Sequence, residues 1–215
     1  MSLVEFQIDG AVALITLARP PVNALNGALI GDLDAAITEA ADPAVRSVVL
    51  TGSPHFAAGA DITEFTDTYE SGDVRLVARR LTHVIRHLEQ LPKPVIAAVA
   101  GYALGGGLEV ALGCYFRYLA EDATVGLPEI TLGIFPGAGG TQRLPRLIGM
   151  SPAREMIYSG RFVGAAEALE LGIADRVLKP EALIDEAMGY AGAWAKGPTV
   201  ALGSAKQAIN EGWGR

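Results

Sequence analysis

Short apolar runs alternate with longer amphipathic stretches along most of the chain. Residues 3–8 and 11–17 predict two strands, and the Asp9-Gly10 pair between them is typical of a hairpin turn. Runs at 47–50 and 94–100 have the length and the β-branched composition of buried strands. A chain that opens with β structure and continues with strands between helices predicts an α/β domain.

Helices are predicted wherever apolar residues recur every three or four positions. Asn26 precedes such a stretch and is predicted to cap a helix that continues through Ile37. The elements predicted after the central strand and helix are short strands at 116–120 and 124–126, helices around 144–148, 151–158 and 165–171, a strand at 174–178, and helices at 180–194 and 198–211. A long helix is also predicted over 73–91.

The central stretch over 93–113 combines a buried strand, a glycine cluster and the start of a helix. Gly105, Gly106 and Gly107 follow the strand closely. The free N–H groups at the helix start are therefore expected beside backbone that a ligand can approach. Glu109 falls in the first turn of this otherwise apolar helix. Because a buried carboxylate without a partner is costly, its presence indicates a functional role.

A second loop of small residues and a second carboxylate complete the candidate chemistry. The loop at 56–62 reads Phe-Ala-Ala-Gly-Ala-Asp-Ile and follows the strand at 47–50. Glu129 lies in the segment that follows two short strands, and a further glycine-rich segment comes at 136–141. Small residues after strands predict a site where backbone approaches a ligand closely.

Composition and charge bear on the number of domains, the kinds of partner and the location of the protein. The 215 residues suffice for one α/β domain with at most a small helical appendage. Only 19% of the residues are charged and half are hydrophobic, which favours surface that is buried against other subunits. The net charge of -7, without a basic stripe, argues against a nucleic-acid partner. The single Cys114 and an N-terminus without a signal-peptide pattern predict a cytoplasmic location.

Several other kinds of site and segment find no support in the sequence. The glycine clusters match neither the P-loop nor the G-x-G-x-x-G pattern, and no G-x-S-x-G motif is present. His83 and His87 share a helix face, but position 84 is Val where a metalloprotease needs Glu, so we expect no metal site. A membrane span over 95–119 is disfavoured by its glycines and by Glu109.

The ordered motifs resemble those of the enoyl-CoA hydratase/isomerase (crotonase) superfamily. The resemblance rests on the segments at 56–62, 101–109 and 127–142, with 21–25 near the start, and it extends over nearly the whole chain. The motif at 113–118 departs from the family's usual Cys-Asp pair and resembles hydratase modules of multifunctional β-oxidation proteins.

This resemblance implies the ClpP/crotonase fold, a spiral of ββα units with C-terminal helices. Residues 1–195 would form the spiral core, and 196–215 would begin a C-terminal helical region that is shortened relative to family members. It also implies a homotrimer or a dimer of trimers. No cofactor is implied, because CoA is part of the substrate.

The resemblance also implies which residues act on the substrate. The family binds acyl-CoA thioesters and stabilises the enolate oxygen with two backbone N–H groups, which by motif position belong to Ala60 and Gly106. Five residues are at motif positions that line the binding path of CoA in the family: Ala58, Ala60, Asp61, Ile62 and Gly106.

Two carboxylates at these motif positions imply an enoyl-CoA hydratase, which adds water reversibly to 2-enoyl-CoA and gives 3-hydroxyacyl-CoA in the degradation of fatty acids or related acyl-CoA compounds. Glu109 is expected to orient and activate the water, and Glu129 to supply the proton to C2. Two alternatives stay open. One is a Δ3,Δ2-enoyl-CoA isomerase or another crotonase-type enzyme, and the other is a non-catalytic acyl-CoA-binding module.

Overall fold

The computed structural model describes residues 2–61, 63–64 and 75–213, with the side chains of 75–77 and 213 outside that description. The strands are β1 (Val4–Asp9), β2 (Val12–Leu17), β3 (Ser47–Gly52), β4 (Val95–Val99), β5 (Tyr102–Leu104), β6 (Phe116–Ala120), β7 (Thr124–Gly126), β8 (Phe162–Gly164) and β9 (Arg176–Leu178). The helices are α1 (Gly27–Ala40), α2 (Arg75–Gln90), α3 (Gly106–Gly113), α4 (Gly140–Ile148), α5 (Met150–Ser159), α6 (Ala165–Leu171), α7 (Leu183–Ala195) and α8 (Thr199–Trp213), with 3₁₀ turns at Pro128–Leu132 and Pro180–Ala182.

The main sheet has six strands in the order β1-β2-β3-β4-β6-β9. β1 and β2 form the predicted antiparallel hairpin, and the other neighbouring strands pair in parallel. α7 packs across β2, β3, β4 and β6, and α1 packs against β1 and β2. Every residue of β3 and β4 is buried, which agrees with their continuous apolar sequence.

A smaller sheet of β5, β7 and β8 forms a second layer. The chain enters it from β4 through Ala100 and Gly101, and again from β6 through residues 121–123. After β3, Ala57 bridges to Ala103 of β5 and so joins the edge of this layer. In three successive turns of the chain, a strand of the main sheet is followed by an extended segment at the second layer. Each strand lies beside the strand of the previous turn, and each extended segment lies beside the previous extended segment. The loops that follow these segments become neighbours in space.

Most predicted elements are confirmed, and the differences are local. Asn26 caps α1 as predicted, since its side chain accepts a hydrogen bond of 2.9 Å from the N–H of Leu29. The strand predicted at 174–178 begins only at Arg176. The helix predicted over 180–194 is divided into a 3₁₀ turn and α7. β8 was not predicted because its three residues carry too little pattern, and it is held by pairing with β7.

The stretch over 95–119 forms β4, β5, α3 and most of β6, and none of the helices in the described residues is long and apolar enough to cross a membrane. Nor do these residues contain a group of three or more His, Cys, Asp or Glu side chains placed to hold a metal ion. His83 is largely exposed, and the Nδ1 atom of His87 lies 2.8 Å from Asp34 Oδ1, which links α2 to α1.

Candidate active site

The start of α3 forms the floor of the site because its glycines let other backbone come close. Gly105 precedes the helix with φ of 52°, a left-handed conformation that favours glycine. Gly107 packs directly against the carbonyl group of Ala57, where a β-carbon has no room. The loop at 56–60 and the first turn of α3 are therefore in backbone contact.

The backbone nitrogen of Ala60 lies close to Gly106 at this contact. Leu25 brackets Ala60 by donating to the Gly59 carbonyl (2.8 Å) and accepting from the Asp61 N–H (3.0 Å), which turns the Ala60 N–H away from residue 25. Gly106 is the first residue of α3, so its N–H has no acceptor within the helix. The Ala60 nitrogen lies 3.7 Å from the place where a β-carbon on Gly106 would stand. Within the described chain, no acceptor is recorded for either N–H.

Glu109 lies in the first turn of α3 and is 2% exposed. Its Oε1 atom accepts hydrogen bonds of 2.8 Å from the N–H groups of both Ala138 and Gly140. Burial raises the pKa of Glu109, and the amides of the 138–140 loop and the charge of Arg143 partly oppose that rise. The carboxylate is therefore buried, and fixed donors stabilise its ionised form.

Glu129 approaches the same place from the 3₁₀ turn, and its surroundings differ from those of Glu109. Its Oε2 atom is buried and, among the described residues, has no hydrogen-bond partner. Its Oε1 atom lies against Gly105, 3.0 Å from the place of a β-carbon on that residue. Burial, reinforced by the nearby charge of Glu109, raises the pKa of Glu129 to about 7. Glu129 therefore exchanges a proton near neutral pH.

The architecture agrees with comparisons to known proteins. A sequence profile of the family described as "Enoyl-CoA hydratase/isomerase" matches residues 7–214. The chain belongs to this family. A short-chain-enoyl-CoA hydratase of Clostridium acetobutylicum is 42% identical over 210 residues, which cover 95% of this chain and 79% of that protein.

Solved structures confirm the crotonase-type fold that the resemblance implied. The crystal structure of an enoyl-CoA hydratase from Bacillus anthracis matches with a TM-score of 0.93 at 41% identity, over 98% of this chain and 83% of that chain. A peroxisomal bifunctional enzyme of Pongo abelii is 44% identical over 187 residues, which are 86% of this chain and 25% of that enzyme. This chain thus spans a quarter of the bifunctional relative's length.

Asn23 supports the 56–60 loop in this member of the hydratase/isomerase family, a role that the sequence did not reveal. Its side chain is fully buried, and its backbone has a φ of 52°. Its Oδ1 atom accepts from the Arg19 N–H (2.7 Å), and its Nδ2 atom donates to the carbonyls of His55 (2.7 Å) and Phe56 (3.4 Å). The one sign in the sequence was that Asn23 lies in the 21–25 motif, which contributed to the family resemblance but indicated no role for this residue.

Ala58 and Asp61 share the loop of Ala60, and all three are partly exposed. The Asp61 carboxylate is occupied within the protein, since Oδ2 lies 2.6 Å from the Arg19 guanidinium and Oδ1 accepts from the Thr63 hydroxyl at 2.6 Å. The hydrogen bond from Thr63 and the charge of Arg19 lower the pKa of Asp61. The backbone of Asp61 is occupied as well, since its N–H donates to the Leu25 carbonyl (3.0 Å) and its carbonyl accepts from the Glu64 N–H (3.2 Å). Ile62 lies outside the described residues.

Proposed function

We propose that this chain is an enoyl-CoA hydratase, which adds water reversibly to 2-enoyl-CoA thioesters and forms 3-hydroxyacyl-CoA. The observation that carries the proposal is the unequal environment of two carboxyl groups, of which Glu109 is buried and Glu129 is half-buried. Glu109 accepts two backbone hydrogen bonds, whereas Oε2 of Glu129 lacks a partner among the described residues. Hydration needs one base and one acid, and unequal surroundings give two glutamates these separate roles.

Glu109 is the proposed base. The N–H groups of Ala138 and Gly140 hold Oε1 in place and favour the ionised carboxylate. An ionised and immobile carboxylate is suited to orient a water molecule and to accept its proton. Its position next to Gly106 brings that water beside the proposed thioester site.

Glu129 is the proposed acid. Its pKa of about 7 keeps a substantial fraction of the group protonated at neutral pH. The neutral form also lowers the cost of burying Oε2 without a hydrogen-bond partner. Hydration places the water oxygen on C3, the water proton on Glu109 and the Glu129 proton on C2. Proton transfer through solvent then restores the protonated Glu129 and the ionised Glu109.

The thioester carbonyl oxygen is proposed to bind between the N–H groups of Ala60 and Gly106. Both donors lie on small residues, so a thioester can approach the backbone closely. Negative charge develops on this oxygen as the enolate forms, and one such donor typically contributes about 3–4 kcal/mol to the transition state. The positive end of the α3 dipole stabilises the same charge.

The same proposal places the CoA part of the substrate along Ala58, Ala60, Asp61 and Ile62, together with Gly106. Both proton transfers and the polarisation of the carbonyl come from groups of this chain, so the reaction needs no metal or redox cofactor. The spiral core over 1–195, a C-terminal helical region that begins at 196–215, and a cytoplasmic location remain predictions.

A homotrimer, or a dimer of trimers, is the proposed assembly. Supporting it is a run of exposed large apolar side chains that follows Glu129: Ile130 (42%), Leu132 (63%), Ile134 (43%) and Phe135 (69%). Large apolar side chains exposed close together in sequence are typical of an interface. Analytical ultracentrifugation measures the mass directly, and a monomer at micromolar concentration contradicts this part of the proposal.

The test is the loss of the conjugated thioester absorbance of crotonyl-CoA in the parent and in Glu109→Gln, Glu129→Gln and Glu121→Gln. We expect turnover by the parent and a fall in kcat of at least about 100-fold in the first two variants. Glu121 is exposed, so its variant serves as the matched control and should retain the parent rate.

The alternatives give different results in the same assay. A Δ3,Δ2-isomerase converts a 3-enoyl-CoA to the conjugated thioester and adds no water, which a mass measurement of the product detects. A non-catalytic module binds the thioester without changing its absorbance. Full activity of either glutamine variant at position 109 or 129 contradicts the two-carboxylate mechanism.

A further inference from the structure

Arg143 connects the loop that holds Glu109 to the helix α2. It lies on α4, and its side chain is 16% exposed. Its Nη1 atom donates to the carbonyl of Ala138 at 3.1 Å. Its Nη2 and Nε atoms reach the two carboxylate oxygens of Glu89 on α2 at 2.9 and 3.4 Å.

We propose that Arg143 is a positioning residue for hydration, which fixes the amide donors of the 138–140 loop against Glu109. This inference rests on the proposed function, because it concerns the base of that reaction. Arg143 acts through the loop and through its charge, and no direct contact with substrate is required.

The loop lies between an anion and a cation, which aligns its peptide groups. The N–H groups of Ala138 and Gly140 point to Glu109. The carbonyl of Ala138 points the opposite way, to Arg143. The carbonyl of Ala138 and the N–H of Gly139 belong to the same trans peptide group, in which the two bonds are antiparallel. Because the carbonyl points to Arg143, the N–H of Gly139 points away from Arg143. That N–H also helps to lower the pKa of Glu109.

Gly139 lets the guanidinium lie directly against the loop. Its φ of 111° and the position of Arg143 Nη1 leave no room for a β-carbon at this residue. Glu89 then holds the guanidinium from the other side with two hydrogen bonds, a geometry that suits the planar fork of arginine. A lysine at position 143 retains the charge and loses this fork.

Charged groups reach Glu109 from two neighbouring elements. Arg143 comes from α4 and favours the ionised form of Glu109, while Glu129 comes from the 3₁₀ turn and has its own pKa raised by the charge of Glu109. Glu89, from α2, is bound to Arg143. Removing the cation therefore disfavours the carboxylate that must act as the base, and it also releases the loop.

The experiment compares Arg143→Met, Arg143→Lys and Arg146→Met in crotonyl-CoA hydration, with kcat and KM measured across pH. For Arg143→Met we expect kcat to fall about 10- to 100-fold, since a small misplacement of a catalytic group has effects of this size. KM should stay within about twofold because no substrate contact is lost. The acid limb of the kcat/KM profile should move to higher pH.

The other two variants distinguish three causes of a lower rate. Arg143→Lys distinguishes the loss of the charge from the loss of the hydrogen bonds, and Arg146→Met shows whether any arginine substitution in this helix lowers the rate. Arg143→Lys should keep the acid limb near its parent position while kcat still falls, because the charge remains and the fork is lost. Arg146 lies on the same helix, is exposed, and bonds only to Gln142 among the contacts recorded for its side chain. Arg146→Met should match the parent in every parameter.

A double-mutant cycle tests whether Glu89 acts through Arg143. Glu89→Gln should lower kcat in the parent and have little further effect in Arg143→Met. The inference is overturned if Arg143→Met keeps the parent kcat and acid limb, or if Arg143→Lys moves the acid limb as far as Arg143→Met. If the parent itself does not hydrate crotonyl-CoA, the proposed function fails instead, so the two failures are distinct.

Discussion

Gly105 and Glu129 lie in direct apposition: a β-carbon on Gly105 would stand 3.0 Å from Oε1 of Glu129. Gly105 has φ of 52°, and its N–H donates to the Gly126 carbonyl at 2.8 Å, just before the turn that carries Glu129. The position of the proposed acid therefore depends on the absence of a side chain at residue 105.

Gly105→Ala should impair both stability and catalysis. Gly105 combines φ of 52° with ψ of -126°, which lies outside the αL region, so alanine costs more there than the about 1–2 kcal/mol of an αL residue, and the new methyl group displaces the Glu129 carboxyl group. Gly10→Ala is the matched control, since Gly10 has φ of 59° and no neighbour within 4 Å of its β-carbon position. Both variants should lose stability in urea unfolding, and only Gly105→Ala should lose kcat. Equal kcat values for the two variants would refute a role for this contact.

The pH dependence of hydration should reflect the two carboxyl groups. Glu129 must be protonated to supply its proton, so kcat/KM should fall as pH rises through about 7, the pKa of Glu129. Glu109 must be ionised, so a second limb should lower kcat/KM in acid. In the reverse direction, dehydration of 3-hydroxyacyl-CoA, Glu129 must be ionised. Stopped-flow or steady-state rates from pH 5 to 9 test this, and a flat profile above pH 7 excludes Glu129 as the acid.

The raised pKa of Glu129 also predicts a pH-dependent cost to stability. Between its ordinary value of 4.5 and about 7, the folded state keeps a proton that the unfolded state releases. Stability from this group is therefore lost as pH rises through that interval, and the full penalty is present above it. Glu129→Gln removes the penalty and should stabilise the protein by about 1–2 kcal/mol at pH 8, allowing for partial exposure of the group.

At pH 4 the Glu129 carboxyl group is protonated in both states, so the glutamine variant should gain nothing there. Urea unfolding of the parent, Glu129→Gln and the exposed control Glu121→Gln at pH 4 and pH 8 provides the comparison. If Glu129→Gln is stabilised by the same amount at pH 4 and at pH 8, the stabilisation comes from packing and not from the ionisation of Glu129.

Asn23→Ala should loosen the loop that carries Ala60. The substitution leaves the Arg19 N–H and the His55 and Phe56 carbonyls without this partner, at a cost of about 1–3 kcal/mol for buried groups. Because the Ala60 donor moves with the loop, kcat should also fall.

Asn26→Ala is the matched asparagine control. It removes the cap of α1 and should cost about 1 kcal/mol of stability. Its kcat should remain at the parent value, since Asn26 bonds only to Leu29 among its recorded side-chain contacts. Asn23→Ala with parent kcat, measured at a temperature where both variants are folded, would show that the loop does not depend on Asn23.

Local signals in the sequence sufficed for the α/β class and for the choice of candidate site residues. The hairpin, α1 with its Asn26 cap and the buried strands β3 and β4 follow from spacing within a few residues. Glu109 stood out because one charge interrupts an apolar helix. The strand β8 was not predicted, since its three residues carry no periodicity and pair with β7 across 36 or more positions.

The sequence by itself determined the α/β pattern and identified the two glutamates and the small-residue loops. Only the tertiary structure decided which groups meet: the amides that hold Glu109 lie 29 and 31 positions away, and Asn23 binds a carbonyl 32 positions away. The spiral also sets Ala60 beside Gly106 and buries one oxygen of Glu129. Backbone propensity acts over a few residues, whereas hydrogen bonding and desolvation depend on every segment that the fold brings within a few ångströms.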